Sequence, residues 1–164
     1  DVQAKDIPTV TDDDGTSVRV VCGDFWGRKG PVEGIAANPR YLDVSLPPGT
    51  KRAIPVETTR HAFAYVFAGA VRFRGASDPR DVRVEHPLDH GKLLPEYAGN
   101  RSLVLFDQGD EILVEAGEAG GRFLLVSGEP LREPVAWRGP IVMNTQEELD
   151  QAWRELRDGT FIKK

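Results

Sequence analysis

The chain has 164 residues, of which 40% are hydrophobic and 29% charged, and a formal net charge of -5. That suits one globular domain with a sizeable core. It leaves no basic block for a nucleic-acid surface and no apolar run near the roughly 20 residues of a membrane span. The single cysteine, Cys22, excludes an intrachain disulfide framework and fits a reducing, cytoplasmic setting.

Seventeen Gly and twelve Pro exceed their average usage of about 7% and 5%, which favours many turns and short strands. The one Met is Met143, and the first residue is Asp1. An initiator Met is normally trimmed only before a small residue, so the expectation is a piece of a longer protein. A removed signal peptide would leave the same mark, but no other feature points to secretion.

Residues 1–16 are polar and read as a lead-in, with 17–164 as the domain. The run Asp12-Asp13-Asp14-Gly15 reads as a solvated turn, because the further ligands of a calcium loop are absent. Short strands are expected at Ser17–Cys22, Tyr41–Leu46, Lys51–Val56, Ala62–Phe67, Ala70–Arg74, Val82–Val84, Arg101–Phe106, Glu111–Glu115 and Arg122–Ser127. Ala68-Gly69 reads as a hairpin-like break. The stretch between Trp26 and Arg40 reads as a Gly-rich connector, since it lacks the spacing of a phosphate cradle. Such strands, punctuated by Gly and Pro, form a sandwich or barrel.

One helix stands out near the end. Thr145 and Glu148 form a capping box, with Glu147 and Glu148 in the first turn and Arg154 and Arg157 in the last. Leu149, Ala152, Trp153 and Leu156 make one apolar stripe, and Asp158-Gly159 ends the helix. The stripe is expected to cover either the domain's own sheet or a neighbouring domain or subunit.

Chemistry-bearing residues are few. Cys22 sits in a Val-rich strand and reads as a small buried hydrophobe; no GxSxG elbow is present. His86 and His90 are four apart, but Pro87 and Gly91 argue against a helix that would align them. His61, Phe63, Tyr65 and Phe67 alternate, so they share one face. That face is either core or the lining of a pocket.

Cupins, which are double-sheet jelly rolls, hold a metal through G(X)5HXH(X)3-4E(X)6G and G(X)5PXG(X)2H(X)3N. Laid on this chain, Gly49 and Gly69 fit the glycines of the first motif and Gly109 and Gly117 those of the second. The ligand positions fall on Pro55, Glu57, Ala62 and Gly120. The turn frame therefore fits and the donors do not. Glu57 and His61 supply one carboxylate and one imidazole, fewer than a transition-metal site needs. The weak pocket candidates are thus Glu57, His61, Phe63 and Tyr65, with no catalytic residue and no metal ligand assigned.

Several segments resemble the C-terminal half of the pirin family of bicupins. They are DIPTV at 6–10, GPVEGIAANPRYLDVSLPPGT at 30–50, HAFAYVFAGAV at 61–71, FLLVSGEPLREPVAWRGPIVMNT at 123–145 and EELDQAWRELRDGTF at 147–161. The resemblance implies an all-β cupin, a double-stranded β-helix or jelly-roll barrel, with a C-terminal α-helix. It also implies a partner: a metal-bearing N-terminal cupin, usually an iron protein, missing from this chain. The resemblance leaves three roles open. The chain is a metal-free cupin supporting that N-terminal domain, part of a quercetin 2,3-dioxygenase-like oxidoreductase, or a protein-interaction module of the transcription-cofactor type. No direct nucleic-acid or membrane partner is implied.

Overall fold

A computed structural model of the chain describes residues 2–76, 80–81 and 96–163. His86, His90 and the strand expected at Val82–Val84 lie outside the described residues. The chain divides into two units, Asp1–Pro130 and Leu131–Lys164.

In the first unit, alternation of apolar and polar residues sets the strands. A short 3-10 turn at Ala4–Asp6 leads into β1 (Thr9–Thr11), which pairs antiparallel with β2 (Ser17–Cys22). Val18, Val20 and Cys22 of β2 are buried. The stretch read as a connector after Trp26 starts inside a small hairpin, β3 (Asp24–Phe25) and β4 (Arg28–Lys29). Its two-residue turn, Trp26-Gly27, has φ of 44° and 72°, the positive pair that a type I′ turn demands. Then follow β5 (Arg40–Leu46), β6 (Lys51–Pro55), β7 (His61–Arg74), β8 (Arg80–Asp81), β9 (Ser102–Leu105) and β10 (Glu111–Gly128).

The expected break at Ala68-Gly69 is not a hairpin. β7 runs unbroken through it, and the segments expected at 111–115 and 122–127 are likewise one strand, β10. These two long strands pair with each other along both halves, from His61↔Gly128 to Arg74↔Leu113. At the corner the register shifts, and Gly117–Gly120 bulge out opposite Ala70. A bulge of this kind bends a strand and raises its twist, which carries β7 and β10 from one layer into the other. Only glycine fits the corner: a Cβ on Gly69 (φ +64°) would lie 2.2 Å from the Gly120 carbonyl oxygen, and one on Gly121 would lie 2.2 Å from Val71 Cγ1.

The larger layer has the order β1-β2-β5-β10-β7-β9-β8, and β6 pairs the first half of β10. Inward residues fill the space between layers. Leu42, Val44, Ala64, Val66, Val104, Phe123 and Leu125 come from the larger layer, and Ile54, Val71, Ile112 and Val114 from the smaller. Phe73 meets both Phe106 and Phe123 edge-to-face, each with centroids 5.2 Å apart, the geometry that aromatic quadrupoles favour.

The second unit is a hairpin, β11 (Ala136–Arg138) and β12 (Ile141–Met143), with the helix α1 (Gln146–Arg157) packed on it. Gly139 turns the hairpin at φ +59°. The capping box forms as expected: Glu148 N–H donates to Thr145 Oγ1, and the Glu148 carboxylate accepts from Thr145 N–H. Leu149 and Ala152 are buried with Ile141, while Trp153 is partly buried, with the Arg138 guanidinium over its ring at 5.3 Å. Leu156, the last residue of the expected stripe, is exposed.

Candidate functional site

The glycine frame and the ligand positions part company in the structure. A cupin ligand must point into the barrel. Along β6 and the turn that follows it, the inward residues are Ile54 and Val56; Pro55 and Glu57, where the two histidines of the frame would fall, face outward and are exposed. The frame laid from Gly49 is thus one residue out of phase with the sheet, and a one-residue step exchanges the two faces of a strand. Ala62, the carboxylate position, does face inward, but as a methyl packed on the core. Gly120, the last position, sits in the corner at φ +77°, where a Cβ would lie 2.8 Å from the Leu46 carbonyl oxygen. Among the described residues the inward positions Ile54, Val56, Ala64, Val66, Phe73, Val104, Phe106, Ile112 and Val114 are hydrocarbon, and Ser102 and Ser127 add only hydroxyls. This donor set does not fit a metal. Among the described residues no three His, Cys, Asp or Glu side chains come together.

Glu57 is engaged by two arginines. Arg40 donates from one guanidinium nitrogen to the Pro55 carbonyl at 3.2 Å and from the other to Glu57 Oε1 at 3.5 Å. Arg60 Nε lies 3.0 Å from Glu57 Oε2, and its Nη1 donates to the Asn38 carbonyl. Glu57 is therefore a bridge between two arginines that ties the 56–60 turn to the start of β5. His61 opens β7 opposite Gly128 and is exposed.

The aromatic row on β7 is turned away from the core, so the core-filling alternative does not hold. Its small neighbours Ala64 and Val66 are the fully buried ones, while Phe63 is 37% exposed and Tyr65 and Phe67 are partly so. Register adds what single-strand alternation could not show. Opposite Phe63 stand Val126 on one side and Leu105 on the other, and Val126 in turn faces Tyr41. Opposite Tyr65 stand Leu124 and Leu103. The outer face of β5, β10, β7 and β9 thus carries two apolar rungs, Tyr41–Val126–Phe63–Leu105 and Leu124–Tyr65–Leu103. Sequence reasoning found only the β7 members. The same alternation in Tyr41–Leu46, Arg122–Ser127 and Arg101–Phe106 held the rest, but its phase relative to β7 is a property of pairing.

A charged end borders this face. Arg122 donates from Nε and Nη2 to both Asp43 oxygens, at 2.8 and 2.6 Å, and its guanidinium lies over the Phe67 ring at 5.0 Å. The hydrogen bonds that Arg122 gives to Asp43 hold the Arg122 pKa above its ordinary value. Elsewhere, Arg52 binds Asp12 and Asp14 and stacks on Trp26 at 4.8 Å, so the acidic turn is an ion-paired anchor and not a freely solvated loop. The Thr16 backbone N–H is the main cause of a lowered Asp14 pKa. Cys22 is buried, and its thiol donates to the Val32 carbonyl at 3.2 Å.

No helix among the described residues is long and apolar enough to cross a membrane. The family model of the pirin C-terminal cupin domain matches residues 41–162. A pirin-like protein of Caulobacter vibrioides is 36% identical over 156 residues, spanning 94% of this chain and 49% of its own length. Pirin of Homo sapiens is 33% identical over 160 residues, spanning 96% and 49%. The crystal structure of a quercetin 2,3-dioxygenase from Acinetobacter baumannii aligns over 98% of this chain and 49% of its own, with 26% identity and a TM-score of 0.75. The chain spans about half the length of these relatives. A match across most of the bent-strand barrel and through the capped helix makes this chain a member of the pirin family, as its C-terminal cupin domain.

Proposed function

We propose that this chain is the metal-free C-terminal cupin of a two-cupin protein and that it supports an N-terminal cupin that carries the metal, expected to be iron. The observation that carries the proposal is the inversion on β7: methyl-sized residues inside, aromatic rings outside. Among the described residues the buried interior is mainly hydrocarbon, and its buried polar side chains are the hydroxyls of Thr16, Ser102 and Ser127, with no buried imidazole or carboxylate. The outer face offers seven large apolar side chains in two rungs, more than a solvated sheet face needs. Such a face suits a protein neighbour, and the N-terminal cupin is the neighbour that the relatives' doubled length supports.

A second reading concerns the parent. The likeness to a quercetin 2,3-dioxygenase over nearly this whole chain supports an oxidoreductase whose active half is the other cupin. Fold likeness alone does not assign a reaction, so the test addresses the metal first. The full-length parent and this chain, purified in parallel, are assayed for bound metal. Stoichiometric metal in the parent and none in this chain is the expected result. Stoichiometric iron in this chain alone would overturn the proposal. Quercetin-dependent oxygen uptake by the parent, absent from this chain, would add the dioxygenase reading.

A further inference from the structure

We propose that the groove on the outer face of the smaller layer binds a small amphipathic monocarboxylate, with its apolar body on Ala53 and Leu113 and its carboxylate held by Lys51 and Arg74. The inference goes beyond the N-terminal partner, because it rests on the other layer and on a small-molecule ligand.

Strand pairing builds the groove. Residues directly opposed across a ladder put their side chains on the same face. Lys51 stands opposite Glu115, and Glu115 opposite Arg72; Ala53 stands opposite Leu113, and Leu113 opposite Arg74. Their neighbours Ile54, Phe73 and Val114 pack into the core, so these two rungs lie on the outside. Lys51, Ala53, Arg74, Leu113 and Glu115 line a cavity of about 330 Å³ there, within the size range of small-ligand sites. Its floor is the Ala53 methyl and the Leu113 side chain, and Leu113 is 40% exposed. Glu111, the next acid on that face of β10, lines a different cavity.

Charge sets the kind of ligand. Glu115 is only 16% exposed and is bonded by Arg72, which also binds Glu96. The Arg72 hydrogen bond holds the Glu115 pKa below its ordinary value, so this acid is ionised and committed. Lys51 and Arg74 approach the same carboxylate to 3.6 and 3.9 Å, with side chains 65% and 59% exposed. Both separations exceed a hydrogen bond, so among the described residues the two cations keep N–H groups to give. Lys51, Arg72 and Arg74 outnumber Glu96 and Glu115 by one charge, in a chain whose net charge is -5. One negative charge balances that excess. A carboxylate suits it, because its two oxygens can accept from Lys51 and Arg74 at once. An apolar body on the same molecule would remove the exposed Leu113 surface from water.

The test titrates octanoate into the chain labelled with ¹⁵N and with ¹³C methyls. Saturable shifts centred on Ala53 and Leu113 are expected. Acetate, which lacks the tail, and octylammonium, which reverses the charge, should bind far more weakly. Lys51→Gln with Arg74→Gln should weaken octanoate binding about tenfold, the scale of two exposed ion pairs. Leu113→Thr should weaken it by removing the floor. All three side chains are exposed, so the variants report on binding with the barrel intact, as the unchanged core methyl signals will show. Absence of saturable shifts, shifts centred instead on Phe63 and Leu105, equal binding of octylammonium, or unchanged affinity in the double variant would each overturn the proposal.

Discussion

The two sides of β7 do opposite things with side-chain size. Inside, Ala62, Ala64 and Val66 leave room for Phe123 and Leu125 to reach across from β10. Outside, Phe63, Tyr65 and Phe67 spread over neighbours that are themselves apolar. A stand-alone barrel would gain more by burying the larger rings, since the return scales with the apolar area removed from water. The inner face is settled within this chain, while the outer face leaves Phe63 and Leu105 exposed, which is what the proposed partner would cover.

The comparison is sharpest where it predicts unequal costs. Phe123→Ala removes a fully buried ring that touches Phe73 and should cost about 3–5 kcal/mol in chemical denaturation. A cost near zero would mean that the inner face is not the core. Gly121→Ala drives a methyl against Val71 and the Ala70 carbonyl at the corner; about 1–3 kcal/mol is expected from overpacking. Thr145→Ala removes the oxygen that caps α1 and should cost the helix about 1 kcal/mol, read as faster amide exchange at Glu148. Phe63→Thr with Leu105→Thr, on the outer face, should move the chain's stability least, by under about 1 kcal/mol for each.

Acid adds a control that acts away from both faces. The Asp14 pKa is lowered, first by the Thr16 backbone hydrogen bond and further by Arg52. A carboxylate depressed in the folded state stabilises above its unfolded value, and that stability is lost as pH falls through the folded one. Wild-type chain should therefore lose stability on acidification below the ordinary carboxylate range. Asp14→Asn should lose less over the same window in thermal unfolding followed against pH.

Much of the fold is legible in the sequence. The strands Ser17–Cys22 and Tyr41–Leu46 follow from alternation, and α1 follows from the Thr145–Glu148 box and its stripe. The resemblance carried the cupin fold. What failed was long-range. Ala68-Gly69 looks like a turn because glycine at positive φ serves turns and bulges alike, and only the pairing of β7 with β10 separates the two. The ligand frame slipped by one residue because spacing counted from a turn does not fix which face a strand residue takes; Ile54 and Val56 do. The aromatic row was found, but its direction was not. Alternation says that Phe63, Tyr65 and Phe67 share a face, and burial of Ala64 and Val66 decides which. The β11–β12 hairpin was missed because three-residue strands leave no periodicity to read.

The central claim is that the outer aromatic face seats the other cupin. It is tested most directly by calorimetric titration of this chain into the separately produced N-terminal half of the parent, with wild type and the Phe63→Thr/Leu105→Thr variant side by side. The account predicts saturable one-to-one binding by the wild type and at least about a tenfold loss in the folded variant, as expected when central aromatic anchors are removed from an interface. Equal binding by both, or none by the wild type, would contradict it.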